Sequence, residues 1–314
     1  MAAALAVTGP AAAEEIACGA NGAPAGAIEL REAVVSFSAL ASGGEPTPYA
    51  AFLIPAGWAF EGAASIVGDE PCGVMEKARW RAASPDGAAS VEMLPAEGWT
   101  ASAHAAQFSV CQSRNVADAA TYAAAIVKGL APDAVLGEAR ERADIVEPFN
   151  EQLKGMSDYG ARAQATAAEL SFELAGADGV TEYGLLIAAV TTFTPEPVIP
   201  EYETRAMSFP SLLARSRGRT PDAGLIEMIR ASALANPNWP ALRADLFRPP
   251  GHQPDPRIRK VIRPPEPFPA RETGPAVEAC GKSFVALKTR HVWKGADGGF
   301  LYAPALTAAL EKTP

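Results

Sequence analysis

The sequence predicts an α+β fold: an antiparallel sheet flanked by helices, followed by a Pro-rich linker and a small C-terminal β extension. Three observations lead there. Short β-branched or alternating runs recur between Gly/Pro turns, which is the pattern of strands joined as hairpins. Amphipathic or Ala-rich stretches with capping residues fall between them, so helices are interspersed with the hairpins instead of alternating regularly with single strands. No interval of 20–50 residues repeats, which excludes a solenoid.

The elements follow in order. Ala33 to Phe37 (AVVSF) and Tyr49 to Ile54 (YAAFLI) are strands. The second ends at Pro55-Ala56-Gly57-Trp58, because proline cannot donate to a ladder. Ala78 to Ala83 leads into Ser84-Pro85-Asp86-Gly87, a type I turn, and Ser90 to Leu94 returns as the second arm of a hairpin. Asn115 is positioned to cap a helix over Val116 to Leu130, which Pro132 ends. A strand is expected within Ala134 to Ile145 and a short helix over Glu147 to Met156. In Ala167 to Leu174, Leu170, Phe172 and Leu174 alternate with Glu169, Ser171 and Glu173, giving one buried face. Gly176-Ala177-Asp178-Gly179 turns the chain into Tyr183 to Phe193, whose nearly continuous apolar run suits a central strand. Asp222 to Ala235 is an amphipathic helix with Leu225, Met228 and Ile229 inward. Pro249 to Pro275 is basic and proline-dense, an extended tether. Ser283 to Tyr302 holds two short strands around Gly295 to Gly299.

These elements divide the 314 residues into a signal-peptide remnant at 1–13, an α+β sandwich at 14–245, the linker at 246–275 and the β segment at 276–314. The start, MAAALAVTGPAAA, ends in small residues that fit a cleavage site, although it lacks a basic region; the alternative is an Ala-rich tail. It points to a secreted or periplasmic protein. No stretch approaches the length of a membrane span. Cys18 is not placed as a lipoprotein cysteine, since Glu15 puts a charge where such sites carry an apolar residue. The four cysteines have no CxxC spacing, so a redox motif or zinc ribbon is not indicated. In an exported chain an even count implies disulfides. Of the three pairings, chain order favours Cys72–Cys111 and Cys18–Cys280.

Charge is unevenly distributed. The chain carries −9 in total, residues 1–204 hold 10 Lys/Arg against 27 Asp/Glu, and residues 205–271 hold 12 against 5. The acidic total argues against nucleic-acid binding. The basic 205–271 segment, with Arg215, Arg217, Arg219, Arg257, Arg259 and Arg263, could take an anionic envelope component or an acidic protein face, since guanidinium matches carboxylate and phosphate in a bidentate manner. It could equally dock on the acidic body of its own chain.

Catalytic motifs are sparse. Ala276 to Ser283 (AVEACGKS) is a relaxed phosphate-loop pattern, but a proline tract precedes it and a strand follows, so a plain turn is the better reading. His104, His252 and His291 have no ligand spacing, and no metal or cofactor is expected. Cys111 with His104 could in principle form a thiol nucleophile and base, but a disulfide or core cysteine is the simpler assignment. Trp58 and Trp99 follow Pro-Gly breaks at strand ends, where they would either pack over the sheet edge or form an aromatic lip on a ligand groove.

Together, Ile54-Pro55-Ala56-Gly57-Trp58, Leu94-Pro95-Ala96-Glu97-Gly98-Trp99, a helix and a later long hairpin resemble the PsbP/Mog1-like αβα sandwich of exported bacterial proteins, over about residues 27–240. That resemblance implies a binding or assembly module without shared catalytic residues. The expected function is therefore a non-catalytic module of the cell envelope. The competing expectation is an envelope hydrolase with an unrecognised Ser or Cys nucleophile.

Overall fold

A computed structural model describes residues 16–19, 22–37, 46–66, 72, 76–101, 111–154, 161–176, 178–195, 204–240 and 268–312. Among the described residues strands hold 52% and helices 19%, which overturns the expectation of a helix-flanked α+β sandwich. The described strands form a mixed sheet of 17, accompanied by four short helices. The expectation failed because tracts read as loop or basic surface are strands. It also failed because two pairings are parallel, which hairpin logic cannot anticipate.

In chain order the elements begin with β1 (Ile28–Phe37), β2 (Thr47–Pro55), β3 (Ala59–Ile66), β4 (Glu76–Ala83), β5 (Ala89–Leu94), β6 (Gly98–Ala101) and β7 (Ser113–Arg114). Then come α1 (Ala119–Leu130), β8 (Val135–Glu141), α2 (Ala143–Leu153), β9 (Ala161–Ala175) and β10 (Thr181–Pro195). They are followed by β11 (Arg205–Ser208), β12 (Ser211–Arg217), α3 (Ala223–Ala231) and β13 (Leu234–Ala235). The last are β14 (Thr273–Ala279), β15 (Lys282–Leu287), β16 (Val292–Gly295), β17 (Phe300–Tyr302) and α4 (Pro304–Glu311). The parallel pairs are β1 with β3 and β6 with β7.

The chain divides into two compact units. One comprises Met1–Glu32, Leu53–Ala56 and Ala270–Pro314. In it β14 to β17 form an antiparallel meander, and β17 pairs with the first residues of β1. Phe284, Trp293, Ala303 and Leu306 make its core. Cys280 and Gly281, with φ of 54° and 72°, form the two-residue turn between β14 and β15. Two left-handed residues in succession match the twist of a tight hairpin. The phosphate-loop pattern is thus a β-turn followed by a strand. Cys280 is bonded to Cys18, with Cα atoms 5.6 Å apart.

The larger unit comprises Ala33–Phe52 and Gly57–Pro269. Its spine is the hairpin β9–β10, paired from Ala161↔Pro195 to Ala175↔Thr181. β8 extends it on one side, and β12, β5, β4 and β3 follow on the other. β11 continues the pairing of β10 and joins it to β6. Successive side chains of a strand point to opposite faces. Accordingly Leu170, Phe172, Leu186, Ala188 and Val190 meet α1. Ala165, Ala167 and Ala189 meet α2 on the other face. The apolar run of β10 is central, as its composition implies.

The helices begin where caps and competing bonds dictate. α1 starts at Ala119 with Asp118 as its cap, accepting from the Thr121 amide at 2.8 Å, and not at Val116 with Asn115. The Val116 carbonyl is instead taken by the Trp99 indole at 2.7 Å. α2 begins four residues before the expected Glu147, at Ala143, and accommodates Pro148 internally. α3 is capped by Asp222, whose carboxylate accepts from the Leu225 amide at 3.1 Å. It stops at Ala231, short of the expected Ala235, because Leu234 and Ala235 pair with Ala51 and Ala50 of β2.

Candidate functional site

The face of β9–β10 opposite α1 is incompletely filled. Two short helices meet it, and their side chains leave a cavity of about 500 Å³. Its floor is Phe52 of β2, Met93 of β5, Ile187 and Ala189 of β10 and Leu212 of β12. Ile145 and Phe149 of α2 form one wall, with Phe209 set edge-on to Phe149 at 5.2 Å between ring centroids. Trp239 closes another side, held by a parallel stack on Phe37 at 4.2 Å and an edge contact with Tyr49 at 5.2 Å. Rings fixed this way hold the space open, since none can rotate into it without losing its partner.

One charged side chain, Arg230, reaches the described lining. Its charge is committed elsewhere. Nε and Nη2 of Arg230 donate to the two carboxylate oxygens of Glu227 at 3.0 and 2.5 Å. Glu227 also accepts from Arg142 at 3.1 Å. Arg142, 11% exposed, further donates to Asp144 at 2.8 Å and to Glu169 at 3.0 Å. Arg140 completes the chain on Glu169. Burial pushes the Glu227 carboxyl up, but the hydrogen bonds and charges of Arg230 and Arg142 outweigh it and hold it below its ordinary range. Hydrogen bonds to Asp144 lead the causes that raise Arg142 above the usual guanidinium value. Three guanidiniums and three carboxylates thus neutralise each other beside the cavity.

The residues singled out from the sequence lie elsewhere. Arg215 and Arg217 sit at the end of β12. Arg217 pairs with Asp178 in the β9–β10 turn, and Arg215 lies 3.7 Å from Glu182 of β10. For these two, the acidic body of the same chain supplies the counter-charge. Arg219 is exposed beyond the strand, where its charge acts weakly on Asp86. Arg257, Arg259 and Arg263 lie outside the described residues, as do His104 and His252. Trp58 is half-buried in the turn between β2 and β3. Trp99 is wholly buried, stacked on Tyr122 with ring centroids 5.0 Å apart, and so presents no lip to a ligand. Cys72 and Cys111 have Cα atoms 5.2 Å apart and are bonded, so the Cys111 thiol is not available as a nucleophile.

Among the described residues, no group of three or more His, Cys, Asp or Glu is placed to hold a metal ion, and no helix is long and apolar enough to cross a membrane. The cavity was missed from the sequence because Phe52, Phe149, Phe209 and Trp239 are scattered over nearly 190 positions. The Asn-Pro-Asn-Trp-Pro tract after α3, which carries Trp239, is the one local hint. No family model, no curated protein and no solved structure matches this chain.

Proposed function

We propose that this protein is a non-catalytic binding module of the cell envelope, and that its ligand is a small uncharged apolar molecule held in the cavity between α2, α3 and the sheet. The observation that carries this is the cavity: about 500 Å³, within the range typical of small-molecule sites, apolar and aromatic in lining. An uncharged ligand fits because Arg230, the one charge at the lining, is already bidentate on Glu227. A free carboxylate would have to displace that pair or sit beside Glu227. The described lining holds no Ser, Cys, His or Asp to act on a bound molecule. Two bonded cysteine pairs support an oxidising compartment, hence export.

The test is titration with N-phenyl-1-naphthylamine, an uncharged dye that brightens in apolar sites. Saturable binding is expected at one site per chain. Ala189→Leu, which places three extra carbons in the cavity, should weaken it at least tenfold without lowering the melting temperature. Undiminished dye binding by a folded Ala189→Leu protein would remove the cavity as the site.

A further inference from the structure

The other face of the same sheet offers a second site of opposite character. Arg81 of β4 stands opposite Glu92 of β5, and Glu92 opposite Leu213 of β12, which packs under α1. Among the described residues, the face covered by α1 at Leu213 therefore continues uncovered over β5, β4 and β3. There it forms an open groove of about 600 Å³ lined by Glu61, Arg79, Arg81, Ser90, Glu92 and Arg215.

The hydrogen-bonding capacity of these groups is unevenly spent. Arg79 is committed, with Nε and Nη2 both on one oxygen of Glu92 at 2.9 and 2.5 Å. The Arg81 side chain makes no hydrogen bond or ion pair among the described residues. Arg215 has its 3.7 Å approach to Glu182, which is too long for a hydrogen bond, and its Nε is buried without a partner. Two guanidiniums with unspent donors thus flank the groove. Among them stand unspent acceptors: Glu61, the second oxygen of Glu92, and the Ser90 hydroxyl, which both donates and accepts.

We propose that this groove binds a small polyhydroxylated anion, a sugar acid or sugar phosphate, with its anionic group on Arg81 and Arg215 and its hydroxyls on Glu61, Glu92 and Ser90. A planar guanidinium matches a carboxylate or phosphate, and such charge-assisted bonds are the strong ones. A bare inorganic anion satisfies the arginines but meets Glu61 and Glu92 as like charges. A neutral sugar satisfies the carboxylates and leaves both arginines unspent. A ligand carrying both functions uses both sets. This site does not depend on the apolar cavity, which opens on the other face.

The experiment is calorimetric titration of the full chain with glucuronate, glucose 6-phosphate, glucose and inorganic phosphate. At least one of the two acidic sugars should bind saturably, and glucose and phosphate should each bind at least tenfold more weakly. Arg81→Gln, a change of an exposed side chain that leaves packing intact, should weaken binding tenfold or more. Arg215→Gln should do the same, whereas Arg205→Gln, an exposed arginine outside the groove, should bind like the parent. N-phenyl-1-naphthylamine binding should be unaltered in all three, which separates this site from the cavity. Absence of binding by both acidic sugars would overturn the proposal. So would equal binding by the parent and Arg81→Gln, or binding of phosphate as tight as that of glucose 6-phosphate.

Discussion

Leu212 and Leu213 are neighbours on β12, yet they enter different environments. Leu213 points into the core under α1, where Trp99 stacks on Tyr122 and the rows of β9 and β10 are closely covered. Leu212 points to the opposite face and lines a 500 Å³ cavity. Both are buried, at 2% and 6% exposure, so apolar content does not distinguish the faces. What differs is the covering. α1 contributes Tyr122, Ala123 and Val127 along one continuous stripe. α2 contributes Val146 and Leu153 with a proline between them, and α3 brings Arg230 to the cavity lining. A face covered by one helix closes; a face shared by two short ones keeps a gap, and packing to interior density is what a gap forfeits.

The largest expected effect on this comparison comes from Trp99→Ala. It removes a fully buried ring, its stack on Tyr122 and its hydrogen bond to Val116, and should cost about 3–5 kcal/mol in urea unfolding. A loss under about 1 kcal/mol would show that the α1 side is not the dense one.

The adjacent leucines sharpen the contrast. Leu213→Ala should fall in the upper half of the 2–5 kcal/mol range for such truncations, about 4, because a closed core retains the void. Leu212→Ala should cost about 2 kcal/mol, since its side chain already borders empty space and loses fewer neighbours. Equal losses for the two would erase the distinction between the faces.

The same logic in reverse applies to Ala188 and Ala189 of β10. Ala188→Leu overfills the α1 side and should destabilise by about 1–3 kcal/mol. Ala189→Leu grows into the cavity and should leave stability unchanged or raise it by up to about 1 kcal/mol. Thermal melts of the pair decide this directly.

The smallest effect concerns the charges beside the cavity. The Glu227 carboxyl is held below its ordinary range in the folded protein, so its contribution is present above the unfolded-state value. It is lost as pH falls through the lower folded value. The parent should therefore lose slightly more stability between about pH 5 and pH 3 than Glu227→Gln does. Parallel acid titrations of the two proteins would show that the Arg142–Glu227–Arg230 network adds nothing to this side.

Much of the polypeptide's local structure is legible in its residues. Period-two alternation and a Gly-Ala-Asp-Gly turn announce β9–β10, and the long apolar run of β10 announces that both its faces are covered. The β4–β5 hairpin follows from its Pro-Asp-Gly turn, and amphipathic spacing places α1 and α3 to within a few residues. Chain order gave both cysteine pairs found at bonding distance. These features are local, or depend on few choices. Tertiary structure alone decided the rest. Neither β3, built mostly of small residues, nor β12, whose end is arginine-rich, carries a clear strand pattern in sequence. They become strands because neighbouring ladders supply partners. Arg217 finds Asp178 39 residues back, and Val116 leaves its helix because a distant indole takes its carbonyl. The cavity is the extreme case. It is made of space between Phe52, Phe149, Leu212 and Trp239, and a chain has no local pattern for the absence of packing.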